Sequence, residues 1–367
     1  MGRFTGLIIG LMLWVVSFAT PSSATDFAKP GPFAVGRQEF TIPGTSSNRP
    51  ISTVVWYPAV GPAPDPAAAH IDYSNDAPAA ATGPYPLVVV IHGLTGHGSV
   101  FGSVGKYFAS YGFVVASADY DEPDPWMTES RGGDRLILSL LYARPADVVR
   151  VIGYVDSIGA PGGKLAGIVD TSHIGVWGMS TGGTTALQAA GAQVDLKAMD
   201  AWCALHKKEP GATYETCQFV GSEKSLATRY GFADPFAAPL PPIWDSRVAA
   251  LVAAAPGGEL HAFGDKGIAA VRIPALLMVA SDDSYVSPEY NALWAYGGIG
   301  SRDKALAVFD RGGHTLFMGV GAPHFDDAAA LATAFFLAIL KGDPAAKATL
   351  MPQAVSLSGV SYKTTLH

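Results

Sequence analysis

The stretch that decides how this chain folds is GVWGMSTGGTTALQAAG, residues 175–191. An apolar run over 174–177 meets a helix-like run over 181–190, and at the junction Gly178-Met179-Ser180-Thr181-Gly182 sets one serine between two glycines. Side chains at the glycine positions would collide with neighbouring backbone across so tight a turn. The pattern G-x-S-x-G, with a strand before it and a helix after it, holds a hydroxyl clear of the C-terminal edge of a sheet. That edge lies at a helix N-terminus, whose dipole favours developing negative charge.

The surroundings supply the sheet. LVVVI at 87–91 is a continuous β-branched run, the mark of a strand buried on both faces. A helical run at 100–111 ends at Gly112, FVVASA at 113–118 is the next strand, and Arg144-Pro145 is expected to open a helix. Val148, Val149, Ile152 and Val155 should form the apolar face of that helix. Further buried strands are expected at 248–254, 275–280 and 305–309, with a closing helix at 328–340 stopped by Gly342. Upstream, 37–42 and 51–57 read as strands and the Pro/Ala-rich stretch 58–84 as loop or edge. Strands alternating with helices predict an α/β fold, a mainly parallel sheet with helices on both faces.

A serine hydroxyl is a weak nucleophile and needs a base, and the base needs an orienting acid. On this architecture they follow in the order Ser, Asp/Glu, His, each just beyond a strand. LLMVASDDSYVSP places Asp282 and Asp283 after one strand, and LAVFDRGGHTLF places His314 after the next. Asp283 is preferred to Asp282 because its D-x-x-V spacing to Val286 matches the usual acid loop. An oxyanion needs preorganised donors, for which the N–H groups of Thr181 and Leu94 are the candidates. Leu94 lies in the Gly-containing loop HGLTGH at 92–97. Of the other histidines, His92 sits at a strand–loop junction, and His70, His324 and His367 fall in loops or the tail. No H-x-x-x-H or C-x-x-C suggests a metal, and no G-x-G-x-x-G follows the first parallel strand, so no cofactor is expected.

Between the helix after Ser180 and the strand at 248 runs a long segment, about 193–245, holding Cys203, Cys217, Trp202, Tyr214, Tyr230 and APLPPIW. Connections longer than about 15 residues usually carry function. The expectation is a cap over the bend, against the plainer alternative of a surface excursion. The two cysteines would form one disulfide in an oxidising compartment, worth about 3 kcal/mol for a loop this short, and would otherwise be two unrelated thiols. Trp202 and Phe219 would then make a lip beside Ser180.

The chain has 367 residues, 49% hydrophobic and 15% charged, which suits a well-buried globular core. A net charge of -7 gives no basic footprint for nucleic acid or anionic lipid. The N-terminus, MGRFTGLIIGLMLWVVSFATPSSATD, has Arg3, an apolar core over 7–18 and a small-residue site at Ser22-Ser23-Ala24. That is the pattern of a signal peptide over residues 1–24, an uncleaved anchor being the alternative. The expectation is a periplasmic or secreted protein whose catalytic domain spans 25–367 without stable membrane insertion.

LVVVIHGLTGHGSVFGSVGKYFASYGFVVASADYD, ARPADVVRVIGYVDSI and GVWGMSTGG together resemble the α/β-hydrolase superfamily. Within it the chain is similar to the platelet-activating-factor acetylhydrolase and dienelactone-hydrolase-like esterases, with the HGL loop and the PGPFAVG arm at 30–36 closest to the former. The resemblance implies an α/β-hydrolase fold and hydrolysis of small or lipid-like esters through an acyl-enzyme on Ser180. Dienelactone hydrolases use a cysteine where this chain has Ser180, and many lipases have His where it has Met179. Two rival readings are a peptidase or acyltransferase on the same triad, and a non-catalytic binding protein on a hydrolase fold.

Overall fold

LVVVI lies at the middle of the sheet, and its composition follows from its position: every residue of the strand Tyr85–Ile91 is buried. The computed structural model describes residues 27–45, 49–68, 70–120, 132–206, 208–209, 216–319 and 321–367; the expected signal peptide lies outside them. The strands in chain order are β1 Ala34–Ile42, β2 Ile51–Ala59, β3 Ser74–Asn75, β4 Tyr85–Ile91 and β5 Val114–Ala118. They continue with β6 Val169–Met179, β7 Val248–Ala254, β8 Ala275–Ala280, β9 Lys304–Phe309 and β10 Val360–Thr364. The helices are α1 Gly102–Ser110, α2 Gly132–Leu138, α3 Arg144–Gly159, α4 Thr181–Ala189 and α5 Leu196–His206. After them come α6 Glu223–Arg229, α7 Gly264–Ile268, α8 Trp294–Gly298, α9 Phe325–Leu340 and α10 Pro344–Thr349.

All ten strands form one sheet in the order β10-β9-β8-β7-β6-β4-β5-β2-β1-β3. From β5 through β9 the neighbours are parallel; β1 with β2, β2 with β5, and β10 with β9 are antiparallel. This is the α/β fold of the hydrolase type. The chain winds from β4 outward to β5 and then crosses back to β6 on the other side of β4. Ligands of open α/β sheets bind at such a reversal, beyond the C-terminal ends of the strands.

Two apolar layers sandwich the sheet, each taking alternate residues of the strands. Val89, Ile91, Val176 and Leu251 pack with Val148, Val151, Ile152 and Val155 of α3 and with Leu187 of α4. On the opposite face Val88, Val90, Trp177 and Val252 pack with Val104 and Phe108 of α1 and with Leu331 and Phe335 of α9. Val151, not Val149, completes the buried stripe of α3.

Arg144-Pro145 does not open a helix. α2 runs through a π-helical turn, Ser139–Ala143, into α3 without a break, and Arg144 N–H donates to Ser139 O. Pro145 has no N–H and its ring crowds the preceding turn, so the widened turn lets the helix pass through the proline. Among the elements that escaped the pattern reading are α10 and the antiparallel edge strand β10, whose residues are at most half-buried.

The 193–245 segment contributes α5, a short 3-10 turn at Thr216–Phe219 and α6. Leu196, Met199, Phe219, Leu226 and Leu240 from it are buried in the same apolar layer as α3 and α4. Cys203 and Cys217 form a disulfide with Cα atoms 5.5 Å apart. Among the described residues no helix is long and apolar enough to cross a membrane.

Candidate active site

Ser180 sits between β6 and α4 with φ 57° and ψ -130°, a conformation in which a side chain other than glycine is strained. The flanking glycines allow it. A Cβ on Gly178 would lie 2.0 Å from Gly182 O, and one on Gly182 would lie 2.1 Å from Ile91 O. The strained residue is held by backbone on both sides: Ser180 N–H donates to Ala254 O at 2.9 Å, and Gly257 N–H donates to Ser180 O at 2.9 Å. Both partners belong to β7 or the loop that leaves it.

The loop after β4 closes over the same point. A Cβ on Gly93 would stand 3.1 Å from Ser180 Cβ, a tight contact that brings this backbone close against the elbow. Leu94 follows it, and its N–H has no acceptor among the described residues. Thr181 is the first residue of α4, where N–H groups have no partner within the helix. The two N–H groups thus lie just beyond the C-terminal ends of β4 and β6, which are adjacent and parallel.

His92, at the base of this loop, is an anchor. Tyr120 N–H donates to its Nε2 at 3.1 Å, while Nδ1 lies 2.7 Å from Gly93 O and so carries the proton. Burial, then the Arg144 charge, pushes its pKa down to about 3, which keeps the ring neutral. Arg144 is the residue that pattern reading missed. Its fully buried guanidinium donates to His92 O and, at 3.4 Å, to Thr185 Oγ1, and lies over the Tyr120 ring. Thr185 in turn donates to Thr181 O at 3.0 Å, so one cation ties the post-β4 loop to the helix after Ser180. The signal was present: Arg144 falls in phase with the buried Val148, Val151 and Val155, where a charge requires partners.

Asp283 and His314 are brought together. Asp283 Oδ2 lies 2.7 Å from His314 Nδ1, with the carboxylate side chain fully buried and the imidazole 15% exposed. The other oxygen, Oδ1, accepts the N–H groups of Tyr285 and Val286 at 2.9 Å each. The D-x-x-V spacing therefore has a physical meaning: it folds the chain after β8 back onto its own carboxylate. Asp282 faces elsewhere, accepting Gly313 N–H at 2.8 Å and Gly312 N–H at 3.3 Å. Gly312 and Gly313 have positive φ, 120° and 57° respectively, in the turn that presents His314. Among the described residues no hydrogen bond joins Ser180 to His314; such bonds often tighten only when substrate is bound.

The expected lip takes a different form. Phe219 is fully buried in the apolar layer beneath the segment and cannot line an opening. Trp202 is stacked between His261 (3.5 Å between ring centres) and His206 (3.8 Å). Tyr290 OH and His206 Nδ1 both reach Glu209 Oε2, at 2.9 and 2.8 Å, joining α5 to the chain that follows Asp283. Stacking between two imidazoles engages both faces of the indole, so Trp202 is committed to this ring stack. Exposed apolar surface lies instead next to His314: Tyr285 is 76% exposed with its ring 5.6 Å from that of His314, and Met318 is 42% exposed.

Two clefts of about 300 and 350 Å³ lie along the 60–77 loop and meet at His70; neither is lined by Ser180, Asp283 or His314. Among the described residues no group of three or more His, Cys, Asp or Glu side chains could hold a metal ion.

A family model described as platelet-activating factor acetylhydrolase, isoform II, matches residues 67–128. The match spans β4, the loop with Gly93 and Leu94, α1 and β5. The chain thus resembles a family of ester hydrolases on the α/β-hydrolase fold, and the match supports a hydrolase. No curated protein matches the chain.

Proposed function

We propose that the protein is an exported serine carboxylic ester hydrolase that works through an acyl-enzyme on Ser180. The observation that carries this reading is the pairing of a buried Asp283 with His314 on the loops after β8 and β9, following a strained serine after β6. Because His314 Nδ1–H donates to Asp283, Nε2 is left as the acceptor for the Ser180 proton. Ser180 Oγ attacks the ester carbonyl as His314 takes its proton, and the carbonyl oxygen becomes an oxyanion. The N–H groups of Thr181 and Leu94 stabilise that charge, each being worth about 10²–10³ in rate in sites of this kind. Collapse expels the alcohol, which leaves with the proton from His314. Water, deprotonated by the same nitrogen, then attacks the acyl-enzyme and releases the acid. Asp283 remains ionised and stabilises the imidazolium in both steps.

Small or lipid-like esters are the proposed substrates. Support comes from the exposed Tyr285 and Met318 beside His314, an apolar border for an acyl or alkyl chain, and from the resemblance over residues 67–128. Export is supported by the Cys203–Cys217 disulfide, since such bonds persist in oxidising compartments.

The test is turnover of p-nitrophenyl esters of increasing acyl length beside peptide substrates, with Ser180→Ala as control. The expected result is ester cleavage without peptide cleavage, and a loss of about 10³-fold or more in the variant. A variant keeping a tenth of the activity would remove Ser180 from its role.

A further inference from the structure

His324 lies ten residues beyond His314, outside the chemistry just described. It caps α9 from a left-handed conformation, φ 60° and ψ 10°, with its carbonyl accepting Ala328 N–H at 2.9 Å. Its side chain is only 7% exposed and spans two carboxylates: Nδ1 is 2.8 Å from Asp327 Oδ2, and Nε2 is 2.8 Å from Asp310 Oδ1. A neutral imidazole donates from one nitrogen only, whereas both of these partners are acceptors. The geometry is that of an imidazolium with both N–H groups engaged. Asp310 and Asp327 are the charged groups that act on it, and the Phe309 ring packs at 5.6 Å.

The position of the two carboxylates gives the bridge its meaning. Asp310 follows the last residue of β9, and Asp327 lies in the first turn of α9. Asp310 is itself fixed from the far side, its N–H donating to Gly359 O at 2.8 Å next to β10. Everything between the two aspartates is the connection that carries His314. Its near end is held by Asp282 on the N–H groups of Gly312 and Gly313. His324 closes the far end by fastening α9 back to the end of β9.

We propose that His324, as an imidazolium between Asp310 and Asp327, is a positioning residue that closes the loop carrying His314 and thereby sets where the base stands. The proposal rests on His314 being the base. Burial, the largest single influence, disfavours the charged ring, but the bonds to Asp327 and then Asp310 together outweigh it and raise the pKa above the usual histidine value. A raised folded-state pKa fixes the sign. The clamp's contribution is full below the ordinary histidine value and is lost as pH rises through the higher folded one.

The experiment compares wild type and His324→Gln in kcat/KM for a small p-nitrophenyl ester, and in melting temperature, from about pH 6 to about pH 9. At the acid end the variant should be slower by about tenfold and melt lower, one amide being unable to replace two charge-assisted bonds. At the alkaline end the two proteins should converge, because the wild type has lost its own clamp. A wild-type to variant ratio that does not change with pH would overturn the proposal. So would ¹⁵N NMR of the wild-type ring near pH 6.5 showing a neutral tautomer, a measurement that stands if the variant fails to fold. Asp310→Asn, which keeps an acceptor but removes a charge, should move the alkaline loss to lower pH. Melting and NMR do not depend on turnover, so failure of the clamp is distinguishable from failure of the ester-hydrolase reading, which Ser180→Ala decides.

Discussion

The two halves of the candidate site are built by opposite means. Around Ser180 the architecture is backbone against backbone: Gly178 and Gly182 let main chains approach to distances that no side chain would permit, and Gly93 stands close against the serine. Around His314 it is carboxylate against N–H: Asp283 on Tyr285, Val286 and His314, Asp282 on Gly312 and Gly313, Asp310 and Asp327 on His324. The first half is fixed by excluded volume, which neither salt nor pH alters. The second is fixed by charge-assisted bonds that can be weakened one at a time. Damage to the elbow should therefore register chiefly as lost stability, and damage to the two aspartates after β8 chiefly as lost rate on an intact fold.

The largest effect that would sharpen this contrast is Asp283→Asn. It should lower kcat/KM for a short ester by about 10⁴-fold with an unchanged circular dichroism spectrum, since the amide leaves His314 in the wrong tautomer. A loss below tenfold would break the comparison at its centre. Next is Gly182→Ala, whose new methyl would overlap Ile91 O and His92 O. Denaturant unfolding should report at least about 3 kcal/mol lost, the upper range of core overpacking. A variant as stable as wild type would mean that the elbow is not held by volume. Smallest is Asp282→Asn, which weakens two bonds to the glycine turn without touching the imidazole. The expected cost is about tenfold in kcat, with KM and melting temperature nearly unchanged. If it matched Asp283→Asn, the distinction between the two neighbouring aspartates would collapse.

These halves also differed in how legible they were. The elbow was readable because its determinants are local: five residues, an apolar run before them and a helical run after. β7 and β8 coincide with their expected spans, since strands buried on both faces write themselves as unbroken apolar runs. The pairing of Asp283 with His314 follows strand order, which the sequence carries. The meaning of Asp282, Asp310 and His324 did not follow, because each acts on a partner distant in the chain, and polar residues in loops have no periodicity to betray them. Arg144 was misplaced for a related reason. Arg-Pro is a common way to begin a helix, and only tertiary contacts reveal that the helix was already under way. Trp202 and Phe219 point to the same limit, since an aromatic residue in an insertion serves equally well as core, stack or rim.

The two hydrogen bonds that grip Ser180 from β7 have a consequence for the order of assembly. β6 can pair with β4 as soon as both have emerged, but its other neighbour begins at Val248, beyond the whole cysteine-bearing segment. Until Ala254 and Gly257 arrive, the strained serine lacks the two bonds that hold it against relaxation toward an ordinary turn. Contacts of such sequence separation form late, because the intervening chain must first be closed into a loop. A chain shortened before β7 would carry the complete G-x-S-x-G pentapeptide and no poised hydroxyl. Reactivity is thus deferred to the finished sheet, and the nascent polypeptide passes through synthesis chemically quiet.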